Sequence, residues 1–474
     1  MTTDTICALA TAPGGALGII RISGPQALEI LSHVFKGAGD VQIYAANTIH
    51  YGHIVEYDAV SQHQLPIDEV MVSIFLAPHS YTGENSVEIS CHGSRYILNK
   101  VLALLIANGC RQAGPGEFTQ RAYLNGKMDL SQAEAVADLI ASSNKATHQM
   151  AMGQLRGRFS SELSQLREQL LKLTSLLELE LDFSDHEDLE FADRSELLEL
   201  TKTIDKHITI LAHSFETGQA LKQGIPVAIV GKTNVGKSTL LNALLKDDRA
   251  IVSDIHGTTR DTIEDTIDIQ GVTFRFIDTA GIRQTTDEVE QIGITRTYAA
   301  IDKARIVLWL IDAQPDTEEI KEMQERCNDK SLIIIVNKID KLSEKSIADL
   351  FSQLSPLTIP EQSSPTHSLS YLLSISAKYG QGLDSLEKAI YQAANIPALQ
   401  ESDVIVSNAR HYDALVRAHE SLNRVLEGMN QQLSGDLLSE DLRLTLDTLS
   451  EITGGQITPN EVLGNIFKNF CVGK

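Results

Sequence analysis

A glycine-rich segment at residues 231–238, GKTNVGKS, carries the residue types needed to bind a nucleoside triphosphate. Its glycines let backbone N–H groups approach phosphate oxygens, the amine of Lys237 can neutralise the β- and γ-phosphates, and the hydroxyl of Ser238 can bind Mg²⁺. A chance glycine turn would satisfy the same pattern. However, a strand-like run at 226–230 precedes the segment and a helix-like run at 239–245 follows it, which is the context that a phosphate loop requires.

Two further segments have the chemistry to recognise a guanine base. In NKID, residues 337–340, the carboxylate of Asp340 can accept hydrogen bonds from the ring N–H and the exocyclic amine of guanine. Adenine lacks that amine, and sites that recognise a polar substrate group in this way discriminate by about 10⁴-fold or more. SAK, residues 376–378, fits a loop whose backbone N–H contacts the guanine oxygen. Guanine is therefore predicted over adenine.

Segments between these motifs are predicted to contact the γ-phosphate and the magnesium ion. DTAG, residues 278–281, ends a strand, which places Asp278 toward Mg²⁺ through water and the N–H of Gly281 toward the γ-phosphate. Thr259 is predicted as the second hydroxyl ligand of Mg²⁺, beside Ser238. The predicted nucleotide contacts are Asn234, Val235, Gly236, Lys237, Ser238, Thr239, Ser253, Asp254, Ile255, His256, Gly257, Thr258, Thr259, Asp278, Thr279, Ala280, Gly281, Asn337, Lys338, Asp340, Ser376, Ala377 and Lys378.

The group that activates water for hydrolysis is less evident. Small GTPases often carry a glutamine directly after the segment at 278–281, but this chain has Ile282 there. A missing arginine finger or its equivalent is worth about 10³- to 10⁵-fold in rate, so another group must act. Asn234 could help to hold a monovalent cation against the phosphates, and Glu290 could orient water. From residue type alone, a carboxylate on a solvated helix face is the more common role for such a glutamate.

The elements around these motifs predict an inserted α/β domain. Strand-like runs at 273–277, 306–311 and 332–336 alternate with helices, which favours an open, mostly parallel sheet over residues 221–396. A Ser- and Pro-rich stretch at 352–371 is predicted as a surface loop within it.

The flanking sequences predict two other kinds of domain. Leucines recur at helical spacing between 163 and 181, and amphipathic runs return at 407–429 and 439–452. Because domain termini often lie close in space, residues 119–220 and 397–474 are predicted to form one helical domain. Residues 1–118 are predicted to form a small α+β domain, from strand-like runs at 6–10, 18–22, 70–76 and 87–90 and a helix-like run at 97–107.

The composition of the chain limits its localisation, its contacts with nucleic acid and its cysteine chemistry. The 474 residues are 42% hydrophobic, but no apolar run reaches the roughly 18 residues of a membrane span and the first residues lack the basic start of a secretory signal, so a cytoplasmic protein is predicted. A formal net charge of −23 means that any nucleic-acid contact needs a local basic face or a partner. The five cysteines lack C-x-x-C spacing, which favours reduced thiols over zinc or disulfides.

Together these motifs and their flanks resemble the MnmE (TrmE) family of tRNA-modifying GTPases over the whole chain. Besides the nucleotide motifs, the resemblance rests on DTI (4–6), GIIRISG (18–24), YTGE (81–84), Glu88, His92-Gly93, PGEF (115–118), LNGKMDL (124–130), QAEA (132–135) and CVGK (471–474). It implies an N-terminal domain that forms a homodimer and binds tetrahydrofolate, a helical domain and an inserted Ras-like P-loop G domain.

The resemblance also implies a function. A potassium-dependent GTPase of this kind works with the FAD-dependent protein MnmG, in a heterotetrameric or larger complex. Together they install a carboxymethylaminomethyl or aminomethyl group at C5 of the wobble uridine of certain tRNAs. The one-carbon unit would come from 5,10-methylenetetrahydrofolate, with 5-formyltetrahydrofolate as a bound analogue.

By position, the resemblance implies that Arg21, Glu88, Lys127 and Lys474 contact the folate. Cations can bind its glutamate carboxylates, and a carboxylate can accept hydrogen bonds from pterin N–H groups. Without the resemblance, each would be taken for an ordinary surface charge. Cys471 matches a tail cysteine considered important for modification, although a buried free thiol is the alternative.

The resemblance assigns the catalytic cation and water as well. It implies that Asn234, Ser253, Ile255 and Thr258 bind K⁺, the middle pair through backbone carbonyls. Glu290 matches the residue that positions the hydrolytic water. The predicted catalytic residues are therefore Glu290, Lys237, Asn234 and Cys471.

Two other functions are compatible with the nucleotide motifs. A GTPase that binds assembling ribosomes shares the G-x-x-N-x-G-K-S loop but needs an RNA-binding appendage, and no K-homology G-x-x-G segment or basic tail follows the G domain. A regulatory GTPase whose N-terminal domain only dimerises is the second alternative. Binding of folate would distinguish it from a modification enzyme.

Overall fold

In a computed structural model of the chain, the described residues are 4–58, 63–182, 194–247, 265–277, 298–354, 370–396, 403–455, 460–468, 470 and 473. The chain divides into two compact units. The first unit comprises Met1–Ala141, Ala151–Thr209 and Asp413–Lys474, and the second comprises Ser142–Met150 and Ile210–Tyr412.

The strands are β1 (Ile6–Leu9), β2 (Leu17–Ser23), β3 (Phe35–Gly37), β4 (Thr48–Asp58), β5 (His63–Phe75), β6 (Ser86–His92), β7 (Arg111–Gln112), β8 (Ile225–Val230), β9 (Asp265–Ile269), β10 (Val272–Phe276), β11 (Ile306–Ile311), β12 (Ser331–Val336) and β13 (Ser370–Ser374). The helices are α1 (Ala27–Val34), α2 (Arg95–Ala107), α3 (Glu117–Leu124), α4 (Leu130–Ala141), α5 (Lys145–Leu155), α6 (Arg158–Asp182), α7 (Arg194–Gln223), α8 (Lys237–Asp247), α9 (Thr317–Arg326), α10 (Glu344–Leu354), α11 (Leu383–Ala393), α12 (Ala409–Asn430), α13 (Gly435–Thr453) and α14 (Asn460–Phe467). Residues 298–303 are also helical.

The first unit contains a seven-stranded sheet in the order β3-β4-β5-β6-β2-β1-β7. Side chains on its strands alternate between two faces, so Ile20 and Ile22 are buried while Arg21 points to the other face. Helices α1 and α2 cover the buried face, where Leu31 and Leu98 join the same apolar core. On the opposite face, Ile6 and Ala8 of β1 pack with Phe118 of α3, and Arg21 is the strand neighbour of Ala8.

The rest of the first unit is helical, and its core follows the predicted leucine spacing. On α6, the side chains of Leu166, Leu170 and Leu173 are buried, and α13 packs against this helix. Leu442 of α13 is likewise fully buried, and Arg443 beside it forms an ion pair with α6. The predicted amphipathic helices are confirmed here.

The second unit contains a six-stranded sheet in the order β13-β12-β11-β8-β10-β9. All neighbouring strands are parallel except the antiparallel pair β9 and β10. Apolar cores lie on both faces: α8 and α11 pack on one, and α9 and α10 on the other. In such sheets ligands bind beyond the carboxyl ends of the strands, which is where the predicted nucleotide motifs fall.

Some elements differ from the sequence predictions. Strands β4, β9 and β13 were not predicted, because their apolar residues are few or interrupted by polar ones. The predicted loop at 352–371 is wrong at both ends, since α10 continues to Leu354 and β13 begins at Ser370. Residues 355–369 lie outside the described residues.

Two predictions from composition can also be compared with the structure. Cys7, Cys91, Cys110 and Cys327 are buried and free of disulfides, as expected, whereas Cys471 is not among the residues that the structure describes. No helix in the described ranges is long and apolar enough to cross a membrane.

Candidate functional site

The phosphate loop connects β8 to α8, as its sequence context predicts. Its glycines adopt conformations that other residues rarely reach, with φ of 145° at Gly231 and 105° at Gly236. A side chain at Gly231 would also lie 2.3 Å from the carbonyl oxygen of Leu310 on β11. The loop can therefore approach its neighbours closely only because these positions are glycine.

Lys237 stands at the start of α8 with its amine folded back over the loop. Its Nζ donates to the carbonyl oxygens of Gly231 at 2.7 Å and Lys232 at 2.8 Å. Among the described residues it forms no ion pair, and burial lowers the pKa of its amine. A half-buried cation held only by carbonyls is a site for an anion, which fits a triphosphate.

Asn337 ties the phosphate loop to the base-reading loops. The residue is 2% exposed; its Nδ2 donates to the carbonyl of Val235 at 2.8 Å, and its Oδ1 accepts from the N–H of Ala377 at 3.1 Å. The asparagine thus joins three loops that are far apart in sequence. Its role in the site is to position them, which the motif alone did not reveal.

Lys338 adds a second link to the phosphate loop. It has a left-handed backbone, and its Nζ donates to the carbonyl of Asn234 and to Oδ2 of Asp312, each at 2.6 Å. Asp312 was missed by sequence reasoning. The available signal was its place directly after β11, since polar residues at the carboxyl ends of parallel strands often belong to the site.

The carboxylate of Asp340 is oriented by the SAK loop. The hydroxyl of Ser376, which is fully buried, donates to Oδ1 of Asp340 at 2.6 Å. Asp340 itself is exposed, so a guanine base can reach the carboxylate. Predicted residues Asn337, Asp340 and Ser376 therefore come together at one end of the sheet.

Several predicted contacts cannot be placed. Residues 253–259, 278–281 and 290 lie outside the described residues. The predictions for Ser253, Asp254, Ile255, His256, Gly257, Thr258, Thr259, Asp278, Thr279, Ala280, Gly281 and Glu290 therefore remain predictions. Of the two predicted hydroxyl ligands of Mg²⁺, only Ser238 is described.

The second group of predicted residues lies on the face of the seven-stranded sheet opposite to α1 and α2. Arg21 on β2 is directly opposite Glu88 on β6. Its Nε and Nη2 donate to Oε1 of Glu88 at 2.9 and 2.7 Å, so the charge of the arginine is already matched. The contacts of Arg21 and Glu88 with folate stay a prediction, and as a pair the two residues offer a neutral pattern of donors and acceptors.

Aromatic rings and the chain's tail surround this pair. The guanidinium lies 5.4 Å from the ring of Tyr81 and 5.6 Å from the ring of Phe118. Nη1 of Arg21 also donates to the carbonyl of Gly473 at 3.3 Å. A side chain at Gly473 would lie 2.0 Å from the carbonyl oxygen of Leu9, so glycine is required for this docking.

The remaining predicted folate residues are placed only in part. The Nζ of Lys127 donates to the carbonyl of Pro78 at 2.9 Å, and its stem lies beside Gly83. It therefore reaches the same loop that carries Tyr81. Lys474 and Cys471 lie outside the described residues, although Gly473 between them is described.

A buried ionic network supports the loop that carries Tyr81. Arg121 is 2% exposed and donates to Glu84 of that loop at 3.2 Å, to Asp4 at 2.9 Å and to Glu117 at 3.1 Å. Sequence reasoning assigned no role to Arg121. Glu84 and Glu117 do occur in quoted family segments, but nothing in their spacing shows that one arginine joins them.

The network also shifts proton affinities. Burial opposes ionisation of Glu117, but hydrogen bonds from Arg111, from the N–H of Gly114 and from Arg121 outweigh it and lower the pKa of the carboxyl. Asp4 shows the same balance. Burial alone would raise the pKa of its carboxyl, but Arg111 and Arg121 lower it by more, so the pKa lies below its usual range. Both groups therefore stay ionised in the folded protein.

Comparisons with known proteins show the family of the chain. Residues 5–127 match the family model described as GTP-binding protein TrmE N-terminus, and residues 130–471 match the MnmE helical domain. A Phocaeicola vulgatus protein named tRNA modification GTPase MnmE is 53% identical over 505 residues, which cover 99% of each chain. The chain belongs to the MnmE family. Proteins of the same name from Bacteroides thetaiotaomicron and Christiangramia forsetii are 52% and 51% identical, with coverage of at least 99% of each chain.

Membership in the MnmE family confirms the predicted resemblance. It also confirms the fold class, with an α+β N-terminal part, a helical part and a P-loop α/β part, and the enzyme class, since the family is one of tRNA modification GTPases. Part of the chain also resembles the G domain of the T. maritima FeoB iron transporter, at 22% identity over 36% of this chain and 98% of the other, with a TM-score of 0.25. A likeness this weak adds nothing to the fold.

Proposed function

We propose that this chain hydrolyses GTP in order to modify the wobble uridine of certain tRNAs, together with the FAD-dependent protein MnmG. The observation that carries the proposal is the identity of 53% along 99% of both chains with a tRNA modification GTPase. It includes all three parts of the chain, not the G domain alone. A tRNA substrate would place the protein in the cytoplasm.

The described part of the nucleotide site supports the GTPase part of the proposal. Lys237, which forms no ion pair with the residues that the structure describes, offers its amine to the phosphates, Ser238 a hydroxyl to Mg²⁺, and Asp340 an oriented carboxylate to guanine. In this proposal K⁺ binds Asn234, whose left-handed φ of 62° turns the loop, together with Ser253, Ile255 and Thr258. Glu290 would orient the attacking water. Hydrolysis is therefore expected to slow strongly when Na⁺ replaces K⁺ at matched ionic strength.

The Arg21–Glu88 pair supports the folate part. A pterin ring carries both N–H donors and acceptor atoms, and a paired guanidinium and carboxylate can match such a mixed pattern. Lys127 and Lys474 would supply cations for the glutamate end of the folate. The folate itself would supply the one-carbon unit when bound. Gly473 of the tail contacts Arg21, and Cys471, two residues earlier in the sequence, is proposed to take part in the modification.

An apolar surface on the sheet supports a homodimer. On the face that α1 and α2 leave uncovered, Ile49 is 62% exposed, Tyr51 60% and Met71 51%, and Tyr51 pairs directly with Met71. Contiguous exposed apolar side chains of this kind mark interaction surfaces. In the proposed arrangement residues 1–118 form the dimerisation and folate domain, 119–220 with 397–474 the helical domain, and 221–396 the G domain.

Nucleoside analysis of tRNA tests the proposal directly. The gene would be deleted from its host, and wobble uridines would be measured by mass spectrometry after return of the wild-type gene or of the K237A or R21M variant. We expect the modified nucleoside to disappear on deletion and to return only with the wild type. Normal modification in the deletion strain would overturn the proposal and leave a regulatory switch GTPase as the function of the chain.

A further inference from the structure

The hairpin formed by β9 and β10 lies between the two segments that are predicted to sense the γ-phosphate. β9 begins at Asp265, shortly after the predicted Mg²⁺ ligand Thr259, and β10 ends at Phe276, shortly before Asp278. The strands pair antiparallel along their full length. The backbone therefore joins this hairpin directly to both predicted segments.

The turn of the hairpin is held by a segment that precedes the G domain in sequence. The N–H of Ala146 donates to the carbonyl of Gly271 at 3.0 Å, and Nδ2 of Asn144 donates to the hydroxyl of Thr273 at 2.8 Å. The fit is tight, because a side chain at Gly271 would lie 2.9 Å from Cβ of Lys145. We name this set of contacts the hairpin clasp.

The clasp is apolar as well as polar. Ala146 is 4% exposed and belongs to the same core as Ile267 and Ile269 of β9 and Val272 of β10. Met150, one helical turn further along α5, packs against this core. The hairpin and the first turns of α5 therefore share buried surface and resist separation.

One residue of the clasp also fixes the start of α5. Oδ1 of Asn144 accepts from the N–H of Thr147 at 2.8 Å, which is the arrangement of a helix N-cap. The same side chain thus holds the hairpin with its amide nitrogen and the helix with its amide oxygen. Movement of Thr273 would pull directly on the beginning of α5.

The other end of α5 is anchored within the first unit. Leu155 accepts a hydrogen bond at its carbonyl from Nε2 of Gln132 at 2.9 Å, and Nε2 of Gln154 donates to the carbonyl of Ser131 at 2.9 Å. α5 is thus one continuous helix that is fixed by polar contacts at each end.

We propose that the hairpin clasp couples the nucleotide state of the G site to α5, and through this helix to the domain that carries α4. The proposal rests on the proposed GTPase function, because it needs a GTP and a GDP state. Coupling requires an element with different contacts in two states, and the clasp supplies the contacts that would differ.

Hydrogen exchange in the full-length protein tests the clasp. Exchange of the peptide that contains residues 144–150 would be compared with GDP and with a non-hydrolysable GTP analogue, each with Mg²⁺ and K⁺. The variant T273V removes the hydroxyl but keeps the β-branched shape, and T273S keeps the hydroxyl as the matched control. G271A, which places a methyl group against Lys145, loosens the clasp by a second route. Thr273 and Gly271 lie outside the predicted nucleotide contacts.

We expect the two nucleotides to change exchange of this peptide by about threefold or more in the wild type and T273S, the scale of one hydrogen bond. In T273V and G271A the difference should fall below about twofold, while GTP hydrolysis stays within about threefold of wild type. The proposed coupling would be overturned by equal exchange in both nucleotide states of the wild type. It would also be overturned if the difference in exchange between the two nucleotides were unchanged in both variants. Protection of β8 controls for folding. Absence of GTP binding by the wild type would instead overturn the proposed function.

Discussion

The phosphate loop and the Arg21–Glu88 pair hold their cations in opposite ways. Lys237 is surrounded by backbone carbonyls, and among the described residues no carboxylate neutralises it. Arg21 forms two hydrogen bonds with one oxygen of Glu88, and a third with the tail at Gly473. The first site keeps its charge for an incoming anion, whereas the second has already matched its charge before any ligand binds.

This difference determines what each site can recognise. An unpaired cation in a glycine loop attracts phosphate strongly and needs little help from distant parts of the chain. A matched pair gives less attraction but a defined pattern of donors and acceptors, and it depends on contacts between β2, β6 and the tail. Loss of a charge should therefore affect ligand binding most at the phosphate loop and protein stability most at the Arg21–Glu88 pair.

The largest effect is expected for K237A. Loss of the charged donor should weaken GTP binding by roughly 10²- to 10³-fold, as removal of a charge-assisted contact to an anionic group typically does. Titration with a fluorescent GTP analogue measures this. K232A is the matched control, because Lys232 is 64% exposed and pairs with Glu319 at the surface, so a change below about threefold is expected. A loss under tenfold in K237A would remove the distinction between the two sites.

A somewhat smaller effect is expected for D340N. The asparagine leaves one guanine N–H without an acceptor, so GTP affinity should fall by about 10²-fold. Xanthosine triphosphate should become the better ligand, because its base has a carbonyl oxygen where guanine has the amine. S376A, which removes only the bond that orients Asp340, should lose no more than about tenfold. Unchanged preference for GTP in competition binding with D340N would contradict the role of this carboxylate.

The Arg21–Glu88 pair should show its effect in stability as well as in binding. R21M leaves a half-buried carboxylate unpaired, since Glu88 has a side-chain exposure of 27%. The free energy of unfolding is therefore expected to fall by about 1–2 kcal/mol, and by less in E88Q. Both variants should bind 5-formyltetrahydrofolate about tenfold more weakly in calorimetric titration. If R21M had the same free energy of unfolding as wild type in urea denaturation, the Arg21–Glu88 ion pair would not form in solution.

The smallest effect is expected for R111M, whose loss of stability should depend on pH. The pKa values of Asp4 and Glu117 are lowered in the folded state, so their contribution is present above about pH 5 and is lost as pH falls through the folded-state pKa. R111M should therefore be less stable than wild type at neutral pH, by about 1 kcal/mol or less because Arg111 is half exposed. The difference in urea midpoint should vanish near pH 2. A difference that is constant with pH would contradict the ionic origin of this support.

The same contrast explains what the sequence could predict. The nucleotide motifs are short and local, so the residues at 231–238 and 337–340 could be placed from spacing alone. The clasp of Asn144 on Thr273 and the support of Glu84 by Arg121 join residues far apart in sequence. No periodicity or motif signals such pairs, because they depend on how strands and helices pack. The pairing of Arg21 with Glu88 was likewise not foreseen, although both residues were predicted for one site.

Strand predictions failed for a related reason. β4 alternates polar and apolar residues with several histidines and tyrosines, and its stability comes from its neighbours β3 and β5. β9 carries two carboxylates, Asp265 and Asp268, and pairs along its whole length with β10. Such strands are specified by tertiary context rather than by their own composition.

A reconstituted reaction tests most directly whether GTP hydrolysis at this site drives tRNA modification. The purified chain would be combined with the proposed flavoprotein partner MnmG, unmodified tRNA, 5,10-methylenetetrahydrofolate, glycine or ammonium, K⁺ and either GTP or a non-hydrolysable analogue. We expect modified wobble uridine with GTP and none above background with the analogue or with K237A. Equal modification with the analogue would show that nucleotide binding alone suffices, and it would contradict a reaction driven by hydrolysis.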